Sequence, residues 1–415
     1  MDNPSRSDVV LLGFTVRDDI LETIAERSAV LPTQTHKFAW NLVRGIQSAG
    51  MRVSLVSALP VPNYPEYPEI IIRSRRFAEH GVNGVTLGFV NLLVLKHLTR
   101  LCAGTVQGIP FIVSQHAGTM VVHGVHTPFL LLARLLRRAL GLKICLVMTD
   151  PPGLVRAVDG RLTRLLKRFD QGIVRKLASG FDGVIALTSA LADDFAPGVN
   201  KLVMEGFADP EISKVPRPSG TPSSVFRVAY AGGISAEYGV SNLVSAFRSF
   251  ADPNMRLDLY GRGPLDLWVL EQSRLDERIC HHGVVPHSDL MPFLRGASLL
   301  VNPRPASQGF VRYSFPSKLL EYLALGVPVV TTRLSGIPDR YYSYLEFTVD
   351  DSTEALSAAI CAVRADRSAA SDRAVLGQRF VMSEKSLHAQ GKRIAIFLQS
   401  LNAPRQPDRT LSESV

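Results

Sequence analysis

Cysteine is scarce in this chain. There are four in 415 residues (Cys102, Cys145, Cys280, Cys361), and no pair has the two-residue spacing of a zinc ribbon or a redox motif. Thiols this few and this far apart build no disulfide framework, so a reducing compartment, the cytoplasm, is expected. No D-x-D triplet, no H-E-x-x-H and no Cys/His cluster with the spacing of a zinc motif occurs. The common sequence patterns for holding a catalytic metal are therefore missing, and chemistry without metal or resident cofactor is expected. Long hydrophobic runs are missing too. The polar start MDNPSRSD leads into only Val9–Phe14, too short for a leader core and the right length for a buried strand. The apolar stretch from Pro128 ends at Arg134, and nothing reaches the roughly 20 residues a membrane-spanning helix needs. No internal repeat is found, which removes solenoids and propellers.

Charge of one sign is present in excess, and it is concentrated. Forty-six Lys and Arg face 37 Asp and Glu, a formal net charge of +9. Residues 1–207 carry 23 basic and 16 acidic residues, and residues 208–415 carry 23 and 21. Residues 134–176 alone carry eleven basic and three acidic residues. A protein that coats nucleic acid spreads its charge and interleaves aromatics, and this segment does neither, so no nucleic-acid partner is expected. A patch facing one anionic surface fits better. Within it, RLTRLLKRF (161–169) sets Leu162, Leu165, Leu166 and Phe169 at helical spacing among its bases. That pattern suits a helix lying on an anionic membrane. It equally suits a solvated helix that packs its leucines inward.

Short apolar runs alternate with helix-length amphipathic stretches along the whole chain. DVVLLGF, MRVSLVS, TMVVHGV, KICLVMT and DGVIALT read as strands of a first series, and FRVAYAGG, RLDLYG, ICHHGV, SLLVNP and VPVVTT as strands of a second. This is the βαβ rhythm of parallel sheets covered on both faces. The expected fold is α/β, with two Rossmann-like doubly wound domains facing across a cleft. The expected boundaries are 1–207 for the first domain, a Pro-rich linker at 208–225, and 226–383 for the second domain. A C-terminal helix at 384–401 returning to the first domain and a flexible tail at 402–415 complete the chain.

In open parallel sheets ligands gather at the carboxyl ends of the strands. In the second series those ends carry Gly232-Gly233 and Gly261-Arg262-Gly263, where missing side chains let a phosphate approach the backbone, or simply permit tight turns. The densest signal is RYSFPSKLLEYLALGVPVVTT, 312–332. Pro316 suits a first helical turn, which leaves the amides of Ser317 and Lys318 and the Lys318 charge at the positive end of the helix. Glu321 lies on the same face one turn on. An anion site with a carboxylate beside it is what a nucleoside diphosphate sugar requires: phosphates on the amides and Lys318, ribose hydroxyls on Glu321. A plain surface Lys–Glu pair is the alternative.

These blocks, with YAGGISAEYGVSNLVSAF and HHGVVPHSDLMPFLRGASLLVNPR, resemble the donor domain of family 4-type glycosyltransferases of the GT-B fold, especially those that build bacterial surface polysaccharides. The resemblance spans nearly all of 226–350 and continues more loosely through GFVNLLVLKHLTR, VHGVHTPFLLLARLL, TDPP and FDGVIALTSAL. It implies a nucleotide-sugar donor, UDP- rather than GDP-linked, on the second domain and a glycan or lipid-linked acceptor on the first. Carried over, Glu321 matches the second carboxylate of an E-x7-E motif, Lys318 and Ser317 the phosphate side, and Gly232 and Gly233 the glycine loop. Val284 and Val285 match the base contacts, and Arg304 follows a strand that ends near the donor. Tyr313 stands where the first Glu of the motif belongs, and Gly233 and Tyr238 stand where an Arg and a Lys are common. The phosphate charge then falls to Lys318, joined by Arg262 or Arg312. The resemblance favours retention of configuration, and Asp150, where retaining members often carry His, leaves inversion open.

In the first domain, His126 and Asp150 follow the ends of strands. Asp150 suits a general base, an acceptor-orienting group or a cap for Pro151-Pro152-Gly153. His123 and His116 read as core or surface histidines. Asn91 and Lys96 read either as acceptor-side residues or as a buried helix with a solvated lysine. A GT-B-fold sugar-nucleotide epimerase and a non-catalytic two-lobed binding protein are the competing functions. A phosphorylase should be much longer, and a nicotinamide dehydrogenase fails because Asp266 occupies the third glycine position of the fingerprint. The place expected for a transferase is the inner face of the plasma membrane, as a peripheral protein.

Overall fold

The structure, a computed structural model, describes residues 8–27, 33–93, 95–153, 160–218 and 224–403. The expected tail lies outside these from 404 onward. The chain divides into two compact units. The first comprises residues 1–186, 191–204 and 390–415, and the second comprises 187–190 and 205–389.

The first unit is built on β1 (Val9–Gly13), β2 (Val53–Ser57), β3 (Ile71–Ile72), β4 (Arg75–Glu79), β5 (Val82–Thr86), β6 (Phe89–Val90), β7 (Thr119–His123), β8 (Lys143–Met148), β9 (Gly183–Ala186) and β10 (Asn200–Val203). Eight of these form one sheet in the order β10-β9-β8-β7-β1-β2-β5-β4. It is parallel except at its β4 edge, and β3 and β6 make a separate antiparallel pair. Every residue of β1, β2 and β7 is buried. Helices cover both faces of such strands, so their sequences are almost continuously apolar. The strand order reverses direction between β1 and β7. Neighbouring connections leave on opposite faces there, opening a crevice at the carboxyl ends.

The second unit holds β11 (Phe226–Ala231), β12 (Met255–Tyr260), β13 (Ile279–Gly283), β14 (Leu299–Asn302), β15 (Val329–Thr331) and β16 (Glu346–Phe347). Their order is β13-β12-β11-β14-β15-β16, all parallel. This is the 3-2-1-4-5-6 arrangement of a dinucleotide-binding sheet, with its switch point between β11 and β14. One apolar cluster, including Phe226, Val228, Leu243 and Phe247, fills one side of the sheet. Another, including Leu319, Leu320, Tyr322 and Tyr341, fills the other.

Two elements differ from expectation. The stretch expected as linker begins with a short helix, Pro210–Lys214, N-capped by the Asp209 carboxylate, and of that stretch 219–223 lie outside the described residues. A helix absent from the sequence reading, Arg367–Glu384, precedes the last helix, Leu387–Asn402. Its buried residues are small (Ala370, Ala374, Gly377) apart from Val381, so it lacks the apolar stripe by which a helix is usually recognised. The last helix packs in the first unit. Arg393 donates to the Val203 carbonyl at 2.9 Å and Asn402 to Thr119 at 3.0 Å.

Candidate active site

At the switch point of the second unit, β11 ends at Ala231 and the chain turns through Gly232-Gly233. Two glycines are needed here. A Cβ on Gly232 would collide with the Lys318 ammonium, and one on Gly261, at the end of β12, would collide with the Gly232 carbonyl. Only two bare backbones can pack this closely, and the result is a turn without side chains beneath a cation. The Tyr230 hydroxyl donates to the Gly233 carbonyl at 2.9 Å, and the Ala231 amide donates to the Tyr322 hydroxyl at 3.0 Å. Both bonds hold the turn from below.

The helix Lys318–Leu325 begins directly above this turn. Leu319 and Leu320 already donate to the carbonyls of Pro316 and Ser317, while the amides of Ser317 and Lys318 have no backbone acceptor among the described residues. Those free amides carry the positive end of the helix. Lys318 lies 4.9 Å from the Tyr230 ring centre, and its pKa is pushed down to about 8, by burial first and by Arg304 second, with Glu321 opposing. Arg304, after β14, stacks over Tyr238 at 4.8 Å and Phe310 at 5.5 Å. Its Nε and Nη1 are buried without partners, and burial lowers its pKa as well. Arg304 thus lowers the proton affinity of Lys318, burial lowers that of both, and neither forms an ion pair among the described residues. An oxyanion is the group that would satisfy both.

Beside them opens a cavity of about 170 Å³, lined by Gly232, Gly261, Val284, Val285, Lys318 and Glu321 among others. Five of the sequence-derived donor residues (Gly232, Val284, Val285, Lys318, Glu321) therefore share one wall. His287, at the start of the helix His287–Arg295, places Nε2 3.6 Å from Glu321 Oε1, a neighbour the sequence gave no signal for. Gly233 packs on Tyr238, Pro316 is buried, and Ser317 is exposed at the helix start. Tyr313 sits in a separate turn, Val311–Tyr313, with the Arg312 guanidinium 5.0 Å from its ring centre, and neither residue lines the cavity. The Arg262 side chain is exposed. The second cation beside Lys318 is thus Arg304, because the β14 turn brings it there. Of the two arginines named from sequence for that charge, Arg312 does not line the cavity, and the Arg262 carbonyl accepts from the Ile234 amide at 3.0 Å, beside the glycine turn.

In the first unit, His126 caps the start of the helix Thr127–Leu140, one short turn after β7. Its ring meets Phe14 at 5.1 Å, Phe129 at 4.7 Å and His97 at 5.2 Å. Burial, then Arg100, His97 and Lys96, push its pKa down to about 3, so the imidazole is neutral at physiological pH. Lys96 is buried at 5% exposure, not solvated, and Nζ donates to the Val61 carbonyl at 2.6 Å and to Asn63 at 3.2 Å. His123 is a core residue stacked on Phe38, and His116 is exposed at a helix end. Asp150 follows β8 and is exposed. It accepts from Thr149 at 2.9 Å, and no bond from its carboxylate to the 151–153 backbone is found among the described residues.

Residues 225–366 match the family model Glycosyl transferases group 1. The matched segment contains every element of the cavity wall, and the remainder of the chain lies outside it. WcaL of Escherichia coli (strain K12), whose name makes it a glycosyltransferase of colanic acid biosynthesis, is 25% identical over 129 residues. That alignment covers 30% of this chain and 32% of the relative, so it spans about a third of either protein. Among solved structures, sucrose-phosphate synthase from Thermosynechococcus elongatus superposes with a TM-score of 0.68 at 14% identity, covering 95% of this chain and 99% of that one. HepE from Anabaena, in complex with UDP, superposes at 0.61 with 15% identity, covering 95% and 100%. The fold is GT-B, with two Rossmann-like domains. The group 1 match and these neighbours support a GT-B glycosyltransferase.

Proposed function

We propose that the protein transfers a sugar, a hexose or a related residue, from a nucleoside diphosphate sugar to a hydroxyl of a lipid-linked glycan acceptor during cell-surface polysaccharide synthesis. The observation that carries this reading is the pairing of Lys318 with Arg304 over the bare Gly232 turn, with Glu321 one helical turn away. Two uncompensated cations and a helix start suit a diphosphate, and the carboxylate suits a ribose diol. The 170 Å³ cavity beside Lys318 and Glu321 has room for the base, and UDP is favoured over GDP. UDP bound to the structural neighbour HepE supports the same donor class. The charge that leaves with the diphosphate is met by Lys318, Arg304 and the helix amides, so transfer proceeds without a metal. Asp150 takes the acceptor proton or orients the acceptor hydroxyl, and neutral His126 contributes a hydrogen bond. Retention at the anomeric carbon is the favoured outcome.

The surface-polysaccharide assignment draws on the WcaL name, and the membrane location on the helix Arg161–Ala178. There Leu165 and Phe169 are 64% and 69% exposed beside exposed Arg161, Arg164 and Arg168. The protein thus lies on the inner face of the plasma membrane through the basic segment 134–176.

The test is calorimetry of UDP in the presence of a chelator. Lys318→Ala and Glu321→Ala should each weaken UDP by roughly 10- to 100-fold, the worth of a charge-assisted hydrogen bond. Full UDP affinity in both variants would end the donor assignment. Labelled sugar recovered in a membrane-lipid extract marks transfer. Label that stays on the nucleotide with altered configuration marks an epimerase instead.

A further inference from the structure

We infer that the crevice of the first unit holds an oxyanion carried by the acceptor, bound by Lys96 and Arg100 beside the imidazole of His126. This rests on the transferase reading and deepens it: the acceptor is an anionic glycan or a glycan phosphate, not a neutral sugar.

Lys96 and Arg100 stand four residues apart on the helix Leu95–Ala103, on one face of it. They are 5% and 4% exposed. Neither forms an ion pair among the described residues. Lys96 spends its bonds on the Val61 carbonyl and the Asn63 side chain, and Arg100 donates through Nη2 to the Leu59 carbonyl at 2.8 Å. Arg100 Nε is buried without a partner among the described residues. Burial pushes the two pKa values down to about 8 and about 9, with Arg100 also lowering that of Lys96 and the Glu66 carboxylate opposing.

Clamping three loop oxygens does not require charge, since glutamine would do it without desolvating a cation. Two adjacent buried cations are favourable only when an anion joins them. The surroundings are shaped for one. The Arg100 guanidinium lies 4.2 Å from the Phe89 ring centre and 5.1 Å from that of Phe14, fixed in plane and shielded from water. The Phe14 ring also touches His126, whose Nε2 is buried with no partner. Thr15 Oγ1 and Ser57 Oγ, at the ends of β1 and β2, are likewise buried and unpaired. Phe14, Thr15 and His126 follow β1 and β7, the strands that flank the switch point of the sheet, where α/β units take their ligands.

The oxyanion has two sources, a phosphate ester or diphosphate of a lipid carrier and the carboxylate of a uronic acid. Full-length protein saturated with UDP, so that the Lys318 site is filled, is titrated with inorganic pyrophosphate, with glucuronate and with glucose. The expected result is millimolar or tighter binding of one of the two anions and none of glucose. Pyrophosphate binding points to the carrier and glucuronate binding to the glycan. Lys96→Met and Arg100→Gln should each weaken that anion at least tenfold while leaving UDP affinity within twofold. Glucose binding as well as glucuronate, or variants that bind the anion like wild type, overturns the inference. UDP weakened by Lys96→Met also overturns it, by assigning the pair to the donor diphosphate. Should the variants fold poorly, wild-type protein decides alone, since no anion binding at millimolar concentration refutes the site. UDP binding measured in the same samples tests the donor reading separately.

Discussion

Lys318 concentrates the chemistry of the second unit in one ammonium group, and its environment makes that group sensitive to pH. Burial and Arg304 lower its pKa to about 8 in the empty site. A bound diphosphate favours the charged form, so binding raises that pKa again. Below the free value the lysine is already charged and affinity is flat. Above it, each binding event takes up a proton and affinity falls, by up to about tenfold per pH unit. UDP titrations between about pH 7 and pH 9.5 should show this decline, and Lys318→Met should abolish the slope. A wild-type affinity that is constant across the range would contradict it. Lys318 and Glu321 were legible in the sequence because three residues of one helix fix their spacing before any fold is known. Arg304 was only half legible. Its place after a strand could be read, but its pairing with Lys318 requires β14 to lie beside β11, 71 residues apart in the hydrogen-bonded register. His287 gave no local signal for the same reason, since its neighbour is Glu321, 34 positions on.

At the scale of single elements, the helix Arg161–Ala178 shows what periodicity alone leaves open. Its sequence fits a membrane-facing helix and a solvated helix with an inward leucine face equally well. Val174 and Ala178 are buried, while Leu165 and Phe169 project into solvent beside three exposed arginines. Val174 and Ala178 therefore pack inward and Leu165 and Phe169 offer an apolar, basic surface, while the Leu162 and Leu166 side chains lie outside the described residues. Not all of the segment's charge is available to a membrane. Arg137 forms a two-point pair with Asp182, and Arg134 donates to the Lys176 carbonyl. Leu165→Asp with Phe169→Asp should reduce cosedimentation with phosphatidylglycerol vesicles by roughly tenfold or more, given about 1.5–3 kcal/mol per buried large apolar side chain. UDP affinity should not change. Equal cosedimentation of the double variant would assign the patch to something other than a membrane. A similar gap between pattern and packing explains the overlooked helix Arg367–Glu384, whose small buried residues fill a tight space without forming a stripe.

For the molecule as a whole, the passages of chain between the two units matter. Two of them lie at 204–205 and 389–390. Just inside the second unit, fully buried Glu205 pairs with fully buried Lys385 at 2.7 Å and with Arg340. Lys385 also sits 5.5 Å and 5.6 Å from the ring centres of Tyr341 and Phe380, and its carbonyl accepts from the Ala208 amide at 2.7 Å. This ion pair ties the segment that enters the unit to the one that leaves it. Burial acts to raise the pKa of Glu205, but Lys385 and Arg340 outweigh it and hold the carboxyl below its ordinary value. Its contribution to stability is therefore present above the unfolded carboxyl pKa and is lost as pH falls through the folded one. Lys385→Met should cost about 3–5 kcal/mol, because it strands a buried carboxylate with one partner. Lys385→Met with Glu205→Leu should recover much of that loss. Denaturant unfolding of the two variants checks the order, and a single variant as stable as the double one would show that the pair contributes little.

The sequence by itself determined the α/β class, the two parallel sheets, the separation into two series of strands and the Lys318–Glu321 face. All of these are local: they follow from periods of two and 3.6 residues, from glycines at strand ends and from a proline at a helix start. Only the tertiary structure decided which distant charges meet. Arg304 beside Lys318, Arg100 and Lys96 buried beside His126, and Lys385 against Glu205 are all brought together by the packing of segments distant in sequence. A charged residue looks the same in sequence whether water or a low-dielectric crevice surrounds it. Burial alone makes an uncompensated charge costly, and so makes it informative about the ligand it serves.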